Sequence, residues 1–327
     1  MKAAVIGAGG FIGRHLCDTL IGRGDSVTAL VRKPSLVEGL AGAGISTIVG
    51  DLADEDSLCR TCADADVVFN LAGALGRWGT SITELERINV QGAQRLVLCA
   101  AKSGAGRVIH VSTAGVSGPL PCDMCASEDY PPSPATDYQR TKLAGEQSAV
   151  EAHHETGIPL VIARPAFVYG PGDMHKLALF RAVARRRVVL VNQGAGRLHP
   201  IFVDDVVQGL ITASERAPGN GETYILAGQT PIRTRGLLHL LAAALGVPPP
   251  GLSLPGNVLV PLALAAELVG RMIGREPSLT RSRIGIFSEH YAYSIEKAGR
   301  ELGFKPLVSL PQGLARTVQW YRTRGLM

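Results

Sequence analysis

The chain has 327 residues, of which 46% are hydrophobic and 19% charged, and its formal net charge is +5 at pH 7. This length exceeds the usual ~100–200 residues of one domain, so the chain can bury a large core and is neither disordered nor fibrous. No nucleic-acid-binding motif accompanies the positive charge, and the glycine-dense N-terminus is unlike a secretory signal, so we expect neither nucleic-acid binding nor secretion.

The first predicted element is a buried strand that leads through a glycine-rich turn into a helix. Residues 2–6 form a short apolar run typical of a parallel strand, and a helical stretch follows at 14–23. The glycines of 7–13 follow G-x-x-G-x-x-G, a spacing that lets a pyrophosphate approach the backbone at a helix N-terminus. We therefore predict a dinucleotide site, the alternative being a ligand-free turn. The predicted cofactor contacts here are Gly7, Gly10, Phe11, Ile12 and Gly13.

The second predicted strand, at 26–31, ends in two basic residues, Arg32 and Lys33. A carboxylate at this place would hold the ribose 2′-hydroxyl of NAD, whereas an arginine accommodates the 2′-phosphate of NADP. The sequence therefore predicts that NADP(H) is preferred and that NAD(H) is a second option. The alternative is that both side chains are solvated loop charges.

Further strands are predicted at 45–49 and from residue 67, and strand and helix patterns alternate to about residue 170. This alternation favours an α/β fold, a Rossmann-type doubly wound parallel sheet. We assign 1–170 to a nucleotide-binding domain with a later contribution from about 200–216, and 171–327 to a smaller, mostly helical substrate-binding lobe. Because strand carboxyl ends line the cofactor crevice of such sheets, five more contacts are predicted. They are Asp51, Leu52, Leu71, Ala72 and Gly73.

Tyr138 and Lys142 stand four residues apart in a helix-forming run, so their side chains share one helix face. A neighbouring cation lowers the pKa of a tyrosine from its usual value of about 10, which would make the phenol a usable acid or base. The pair therefore predicts proton transfer by Tyr138 assisted by Lys142. The alternative is a surface pair that contributes a few tenths of a kcal/mol.

These motifs together resemble those of the extended short-chain dehydrogenases/reductases, the NAD(P)-dependent epimerase/dehydratase superfamily, over essentially the full length. The motifs are Gly7/Gly10/Gly13, Gly50-Asp51-Leu52, Leu71-Ala72-Gly73, Asn89-Val90-Gln91-Gly92, Val111-Ser112-Thr113, Tyr138/Lys142, the stretch from Arg164 to Pro171, Val203-Asp204-Asp205 and the stretch from Lys297 to Phe304.

The resemblance implies that Thr113, or failing that Ser112, completes a catalytic set with Tyr138 and Lys142. Without the resemblance, these two hydroxyls would be read as caps of the next turn, and Asn89 as an exposed polar residue. By the resemblance, Asn89 would touch the cofactor or brace the site. The further cofactor contacts that the resemblance implies, besides Tyr138 and Lys142, are Asn89, Ser112, Pro165 and Val168.

Two departures from the nucleotide-sugar members of the family bear on the substrate. The stretch 165–168 lacks their asparagine, and Leu198 and His199 stand where they usually carry an arginine and an acid. The sequence is thus more similar to the dihydroflavonol reductase and 3β-hydroxysteroid dehydrogenase branch. The resemblance implies NAD(P)-dependent interconversion of a ketone or aldehyde and a secondary alcohol by hydride transfer, on a small-molecule substrate. A nucleotide-sugar epimerase/dehydratase with tightly bound NAD and a non-catalytic nucleotide sensor are the alternatives. A homodimer is common in the family.

The remaining features give weaker predictions. The six cysteines include two C-x-x-C pairs, but their separation is too long for a structural zinc site, so we expect no metal and reduced thiols in a cytoplasmic protein. The basic run 185–187 is read as a solvated surface, with attraction for an anionic substrate tail as the alternative. The apolar stretch 252–270 contains Pro261 and Glu267, which favours a buried or peripheral helix over a membrane span, so membrane contact is not expected.

Overall fold

The computed structural model describes residues 1–33, 40, 42–76 and 78–327, and a seven-stranded parallel sheet lies at its centre. The strands in chain order are β1 (Lys2–Ile6), β2 (Ser26–Val31), β3 (Ser46–Val49), β4 (Val67–Asn70), β5 (Val108–Val111), β6 (Leu160–Pro165), β7 (Phe167–Tyr169), β8 (Leu190–Val191), β9 (Arg197–Leu198), β10 (Pro200–Phe202), β11 (Asn220–Leu226), β12 (Ile232–Arg233) and β13 (Ser253–Leu254). The α-helices are α1 (Phe11–Gly22), α2 (Glu55–Cys62), α3 (Ile82–Glu86), α4 (Gly92–Lys102), α5 (Asp137–Thr156), α6 (Leu177–Ala184), α7 (Val203–Arg216), α8 (Thr234–Leu245), α9 (Gly256–Ile273), α10 (Arg281–Ser288) and α11 (Leu310–Thr323).

The strand order of the large sheet is β11-β6-β5-β4-β1-β2-β3, and every neighbouring pair is parallel. The chain runs from β1 outward to β3 and then returns to the other side of β1 with β4. The carboxyl ends of β1 and β4 therefore border the crevice in which doubly wound sheets bind their ligands. Helices cover both faces: α1 and α7 contribute to one hydrophobic core, and α2, α4 and α5 contribute to the other. The predicted Rossmann-type doubly wound fold is confirmed.

The sheet draws on more of the chain than the sequence indicated. The segment predicted to join it from about 200–216 corresponds to α7, which packs its apolar side into the core beneath the sheet. Beyond that range, β11 pairs with β6 as the edge strand, and its buried Tyr224 and Leu226 belong to the same core. The layers around the nucleotide crevice therefore extend to Leu226.

The smaller lobe is formed by the chain between β6 and α7 and by most of the chain after β11, and it is mostly helical as predicted. The segment 298–304 is an exception, because it packs in the core beneath the large sheet. The lobe's strands occur only as two-stranded pairs, β7 with β10, β8 with β13 and β9 with β12. A separate hydrophobic core holds it together, with contributions from α6, α8 and α11 and with Tyr169, Phe180 and Tyr321 among its largest buried side chains. The lobe follows β6 and β11, so its connections leave from the carboxyl edge of the large sheet, beside the crevice.

Candidate functional site

The glycine turn between β1 and α1 is packed so closely that two of its glycines admit no side chain. Gly7 has φ +93°, and a Cβ on it would lie 2.8 Å from the backbone nitrogen of Ala72. A Cβ on Gly13 would lie 2.3 Å from the carbonyl oxygen of Gly7. The turn therefore places the start of α1 directly beside the segment that leaves β4.

The first N–H groups of α1 point out of this turn. The helix begins at Phe11, three residues earlier than the helical stretch predicted from the sequence, because Gly10 is its N-cap. The first N–H groups of a helix have no partner within the helix and attract negative charge. A cleft of about 510 Å³, lined by Gly9, Gly10 and Arg14 among others, opens at this point. These features fit the pyrophosphate of a dinucleotide.

The segment after β4 is held in place by Asn89. The Asn89 side chain is buried, accepts a hydrogen bond from the Ala74 backbone N–H at 2.8 Å and donates to the Ala74 carbonyl at 3.1 Å. It also donates to Thr141 Oγ1 at 3.0 Å, which links the segment to α5. Asn89 lies in a π-helical turn, Arg87–Gln91, a type of irregularity found frequently at functional sites. Of the two roles that the resemblance allows, Asn89 performs the bracing one in this structure.

Helix α5, which carries Tyr138 and Lys142, is fixed at its start and along its length. Thr136 caps it and forms a capping box with Gln139. Farther along, Glu146 accepts two hydrogen bonds from Arg164 on β6, at 3.0 and 2.6 Å, and both side chains are buried. A bidentate pair of this kind fixes orientation as well as distance. The helix face with Tyr138 and Lys142 is therefore held against the sheet.

Lys142 lies at the carboxyl ends of β4 and β5. Its side chain is 3% exposed, and its Nζ donates a hydrogen bond to the Val111 carbonyl at 2.8 Å. A Cβ on Gly73 would lie 3.9 Å from the same Nζ, so the amine adjoins the segment that leaves β4. Tyr138, one helical turn earlier, is half-buried, and a Cβ on Gly76 would approach its Cβ to 3.0 Å. The structure thus places the pair beside the predicted contacts Leu71, Ala72 and Gly73.

The protonation states of the pair follow from burial. Burial raises the pKa of Tyr138 to about 12. Burial also lowers the pKa of Lys142 to about 8, against the opposing effect of the Glu146 carboxylate. The lowering of the tyrosine pKa that we expected from a neighbouring cation is thus not found in the structure, in which the Lys142 amine is bonded to a backbone carbonyl. The phenol is therefore protonated at neutral pH.

Two hydroxyls follow β5, and they differ in their surroundings. Thr113 Oγ1 accepts a hydrogen bond from the Gly115 N–H at 3.2 Å and thereby caps a short 3-10 turn. A Cβ on Gly115 would lie near both Thr113 Oγ1 and the Gln139 side chain, so Thr113 adjoins the start of α5. Ser112 is buried, and its Oγ has no hydrogen-bond partner among the residues that the structure describes. An unpaired buried hydroxyl beside the crevice is a group that a bound molecule can satisfy.

Most of the other predicted cofactor contacts lie along the same edge of the sheet. Arg32 and Lys33 are exposed directly after β2. Asp51 follows β3, where it accepts from the Ala53 N–H at 2.9 Å and lies 3.5 Å from Arg87. Leu52 is buried, Pro165 ends β6, and the half-buried Val168 lies on β7, which pairs with β10 outside the large sheet. The half-buried Phe11 and Ile12 begin α1.

One link near the turn was not predicted. His15 on α1 bonds the Pro171 carbonyl through Nε2 at 2.8 Å, and its Nδ1 lies 3.5 Å from Asp204 on α7. Burial opposes protonation, but Asp204 and the Pro171 carbonyl outweigh it and raise the pKa of His15. Asp205, the next residue, accepts from the N–H groups of residues 307 and 308 at 2.8 and 3.1 Å. The paired aspartates were visible in the sequence, but nothing there indicated that they connect α1 with the smaller lobe.

Leu198 and His199, the positions that distinguished the chain from nucleotide-sugar enzymes, offer no charge. Leu198 is buried. His199 is also buried, and its Nε2 bonds the Gly228 carbonyl at 3.0 Å while its Nδ1 accepts from the Tyr293 N–H at 3.2 Å. Burial lowers the pKa of His199 to about 4, so the ring is neutral. Both side chains are part of the lobe's packing.

The cysteines are all free thiols. The donor atoms of Glu55, Cys59 and Cys99 lie within 4.8 Å of one another, a grouping between α2 and α4 that the C-x-x-C spacing did not indicate. Burial and the Cys59 thiol raise the pKa of Cys99 to about 12, and Glu55 is paired with Lys102 at 3.0 Å. Metal ligation requires a thiolate, so the raised pKa of Cys99 favours its protonated thiol.

Comparison with known proteins agrees with this geometry. The sequence model of the NAD dependent epimerase/dehydratase family matches residues 3–227. A 4-hydroxy-2-methyl-3-oxo-4-farnesyl-3,4-dihydroquinoline-1-oxide ketoreductase of Stigmatella aurantiaca is 31% identical over 324 residues, which cover 96% of this chain and 95% of the relative. A 3beta-hydroxysteroid-dehydrogenase/decarboxylase of Arabidopsis thaliana is 26% identical over 96% of this chain and 78% of its own length.

Solved structures of the family share the whole fold. The UDP-glucuronic acid 4-epimerase of Bacillus cereus, solved in complex with NAD, superposes with a TM-score of 0.79 at 25% identity and covers 99% of both chains. The predicted resemblance, including its steroid dehydrogenase side, is confirmed. The chain belongs to the NAD dependent epimerase/dehydratase family, the extended short-chain dehydrogenases/reductases, and is an NAD(P)-dependent oxidoreductase of that family.

Proposed function

We propose that the protein is an NADP(H)-preferring reductase that converts a ketone or aldehyde of a small molecule into an alcohol, and that catalyses the reverse oxidation. The observation that carries the proposal is the buried Lys142 amine at the carboxyl ends of β4 and β5, with the protonated Tyr138 one turn earlier on the same helix and Thr113 beside the start of that helix. The glycine turn after the adjoining β1 fits the pyrophosphate of the cofactor. When the cofactor is bound, its nicotinamide would supply the hydride in reduction and accept it in oxidation.

Each of the three side chains has a distinct role in this proposal. Tyr138 donates its phenolic proton to the carbonyl oxygen as the alcohol forms. Lys142 stabilises the phenolate that remains, because a buried cation interacts more strongly with charge than one in water. Thr113 donates a hydrogen bond to the same oxygen and so holds the carbonyl carbon in position for hydride transfer.

The protonation state favours the reductive direction. With its pKa raised to about 12 by burial, Tyr138 carries its proton throughout the neutral range, as a general acid requires. Oxidation would need the phenolate, whose formation depends on the positive charges of Lys142 and of the oxidised cofactor. The cofactor-free protein therefore holds the phenol in the form that reduction uses.

The proposed substrate class rests on the two positions where nucleotide-sugar members of the family usually carry an arginine and an acid. Leu198 and the uncharged His199 give no ion pair for a sugar diphosphate. The relative from Stigmatella aurantiaca is named as a ketoreductase of a farnesylated quinoline oxide, which supports a neutral, lipophilic ketone. The likeness to the NAD-bound epimerase favours the second candidate, a nucleotide-sugar epimerase that retains NAD.

The free thiols support the predicted cytoplasmic location.

Identification of the cofactor distinguishes the two candidates. The purified protein is denatured, any released nucleotide is identified, and refolded or nucleotide-free protein is titrated with NADPH and NADH by fluorescence. Exchangeable NADPH that binds more tightly than NADH supports the reductase, whereas co-purified NAD that does not exchange supports the epimerase. Arg32→Asp should then shift the preference towards NADH, and an unchanged ratio would remove Arg32 from the proposal.

The acid role is tested with Tyr138→Phe on a panel of neutral ketones, by following NADPH consumption. We expect turnover to fall by about 10²-fold or more while the dissociation constant for NADPH stays within about twofold. Tyr130→Phe removes a phenolic hydroxyl from a half-buried tyrosine of another cluster and is the matched control. Wild-type turnover by Tyr138→Phe would refute the assignment.

A further inference from the structure

The long apolar helix of the smaller lobe, α9, is attached to the protein by one narrow stripe. Its buried residues are Leu259, Ala263, Glu267 and Gly270, which recur every three or four positions and therefore lie on one side. Leu259 and Ala263 pack in a small core with Ile284 of α10. The carboxylate of Glu267 points inward and bonds Arg281 through both its backbone N–H, at 2.7 Å, and its Nε, at 3.0 Å.

The opposite side of α9 is a continuous apolar surface. Met272 is 86% exposed, and Ile273, Leu268 and Leu262 are each more than half exposed. No charged side chain interrupts this side between 257 and 270, because Glu267, the only charged residue there, faces inward. We call the outward residues of the helix the α9 face. They are Val258, Pro261, Leu262, Leu264, Ala265, Leu268, Val269, Met272 and Ile273.

The α9 face has two arginines at its C-terminal end. Arg271 and Arg275 are exposed there, and neither belongs to an ion pair in the described part of the chain. They adjoin one end of about 27 Å of apolar helix, the length of 18 residues. The exposed basic run 185–187 is farther from the helix, because it precedes β8, which pairs with the strand before α9.

We propose that the α9 face docks on the surface of a membrane that contains anionic phospholipid, with the helix lying in the plane of the interface. The helix is long and apolar enough to cross a bilayer. However, its inner stripe is fixed to α10 by packing and by the Glu267 ion pair, so only the outer side is available. Apolar side chains that enter the boundary between headgroups and acyl chains, with arginines beside the phosphates, are the arrangement of interfacial helices.

Charge complementarity selects lipid over a second copy of the chain. In a symmetric dimer with antiparallel α9 helices, Arg271 and Arg275 would find no acidic side chain on the outward side of the other copy's helix, because its one acid, Glu267, faces inward. In a parallel arrangement the same arginines would face each other, and like charges together are costly at an interface. An anionic lipid surface instead supplies phosphates to both arginines.

Vesicle flotation tests the proposal with the full-length protein. Vesicles of phosphatidylcholine alone are compared with vesicles in which about a third of the lipid is phosphatidylglycerol. We expect wild-type protein to float with the anionic vesicles and to bind the neutral vesicles at least about tenfold more weakly. The double variant Leu268→Asp/Met272→Asp should lose at least about tenfold in binding to anionic vesicles. Both side chains are exposed, so the fold should be unaffected.

The charge contribution is tested separately with Arg271→Glu/Arg275→Glu, which should reduce binding to anionic vesicles by about tenfold and leave weak binding to neutral ones unchanged. Leu307→Asp and Arg60→Glu alter an exposed leucine and an exposed arginine elsewhere and should bind like wild type. Wild-type protein that stays unbound to both vesicle types would overturn the proposal. So would a wild-type dimer in gel filtration that Leu268→Asp/Met272→Asp converts to a monomer, since a second copy would then cover the face.

Discussion

Replacement of Lys142 by methionine is expected to make the cofactor-free protein more stable at neutral pH while it removes activity. Lys142 is 3% exposed, and its pKa is lowered by burial from 10.5 to about 8. A depression of this size means that the folded protein carries the charged amine at pH 7 at a cost of about 3 kcal/mol relative to the unfolded chain. Methionine has a similar unbranched shape and no charge, so it removes this cost.

The hydrogen bond to the Val111 carbonyl offsets part of the gain. Its loss costs about 1 kcal/mol, so we expect Lys142→Met to raise the free energy of unfolding by about 2 kcal/mol at pH 7. The sign of the pH dependence follows from the same two pKa values. Between pH 8 and 10.5 the folded protein has released the Lys142 proton and the unfolded chain still binds it, so wild-type stability rises with pH in this window. The advantage of the variant should therefore vanish by about pH 10.

Urea denaturation of cofactor-free wild-type and variant protein at pH 7 and pH 10 measures both quantities. Lys102→Met is the matched control, because Lys102 is a solvent-exposed lysine of α4, and its substitution should not reproduce the pH-dependent difference. A Lys142→Met variant that is less stable than wild type at pH 7 would refute the reasoning. A stability difference that is the same at both pH values would do so as well, because the effect would then not arise from an ionisation.

Three further predictions concern the turn, the helix anchor and the phenol. Gly13→Ala places a Cβ 2.3 Å from a backbone oxygen, so it should cost about 1–3 kcal/mol of stability and weaken cofactor binding. Gly22→Ala, on the same helix, meets no atom within 4 Å and should be neutral or stabilising in the same urea denaturation experiment. Arg164→Met leaves the Glu146 carboxylate buried and unpaired and should cost about 3–5 kcal/mol, most of which Glu146→Leu/Arg164→Met should restore. In spectrophotometric titration of cofactor-free protein, Tyr138→Phe should remove a tyrosinate transition near pH 12, and loss of a transition below about pH 9 would contradict the burial argument.

The features that the sequence predicted well are those encoded by neighbouring residues. The glycine spacing lies within the seven residues 7–13, and Tyr138 and Lys142 are four residues apart. Both patterns are therefore visible in a short stretch of sequence without knowledge of distant contacts. The fold followed from the alternation of strand and helix patterns. The edge strand β11 was missed, because its burial depends on pairing with β6, as in the pair Asn220 and Leu160, which are far apart in the sequence.

Features that depend on distant contacts could not be predicted. The hydroxyl caps and the Asn89 side chain were open to two interpretations, and only the positions of Ala74 and Thr141 show which one holds for Asn89. The helix at 256–273 shows the same limit. Glu267 and Pro261 counted against membrane contact in the sequence, but the structure turns Glu267 towards Arg281 and leaves the apolar side exposed. The sequence shows which residues share one side of a helix, but not whether that side faces the protein interior or the solvent.

Several buried polar atoms that lack a hydrogen-bond partner among the described residues also lie at the predicted site. Asn70 and His110 are paired in register on β4 and β5, and Asn70 Nδ2 and His110 Nδ1 are hydrogen-bonded at 3.0 Å. Asn70 Oδ1 and His110 Nε2 have no hydrogen-bond partner among the described residues. Ser112 Oγ, two residues on, is unpaired as well, and burial together with the Lys142 charge holds the pKa of His110 well below its usual value. Buried polar groups without partners reduce stability, and sequences retain them chiefly where function requires them. The instability that Lys142→Met should relieve and the chemistry proposed for Tyr138 therefore have one origin, the burial of polar groups at the carboxyl edge of β4 and β5.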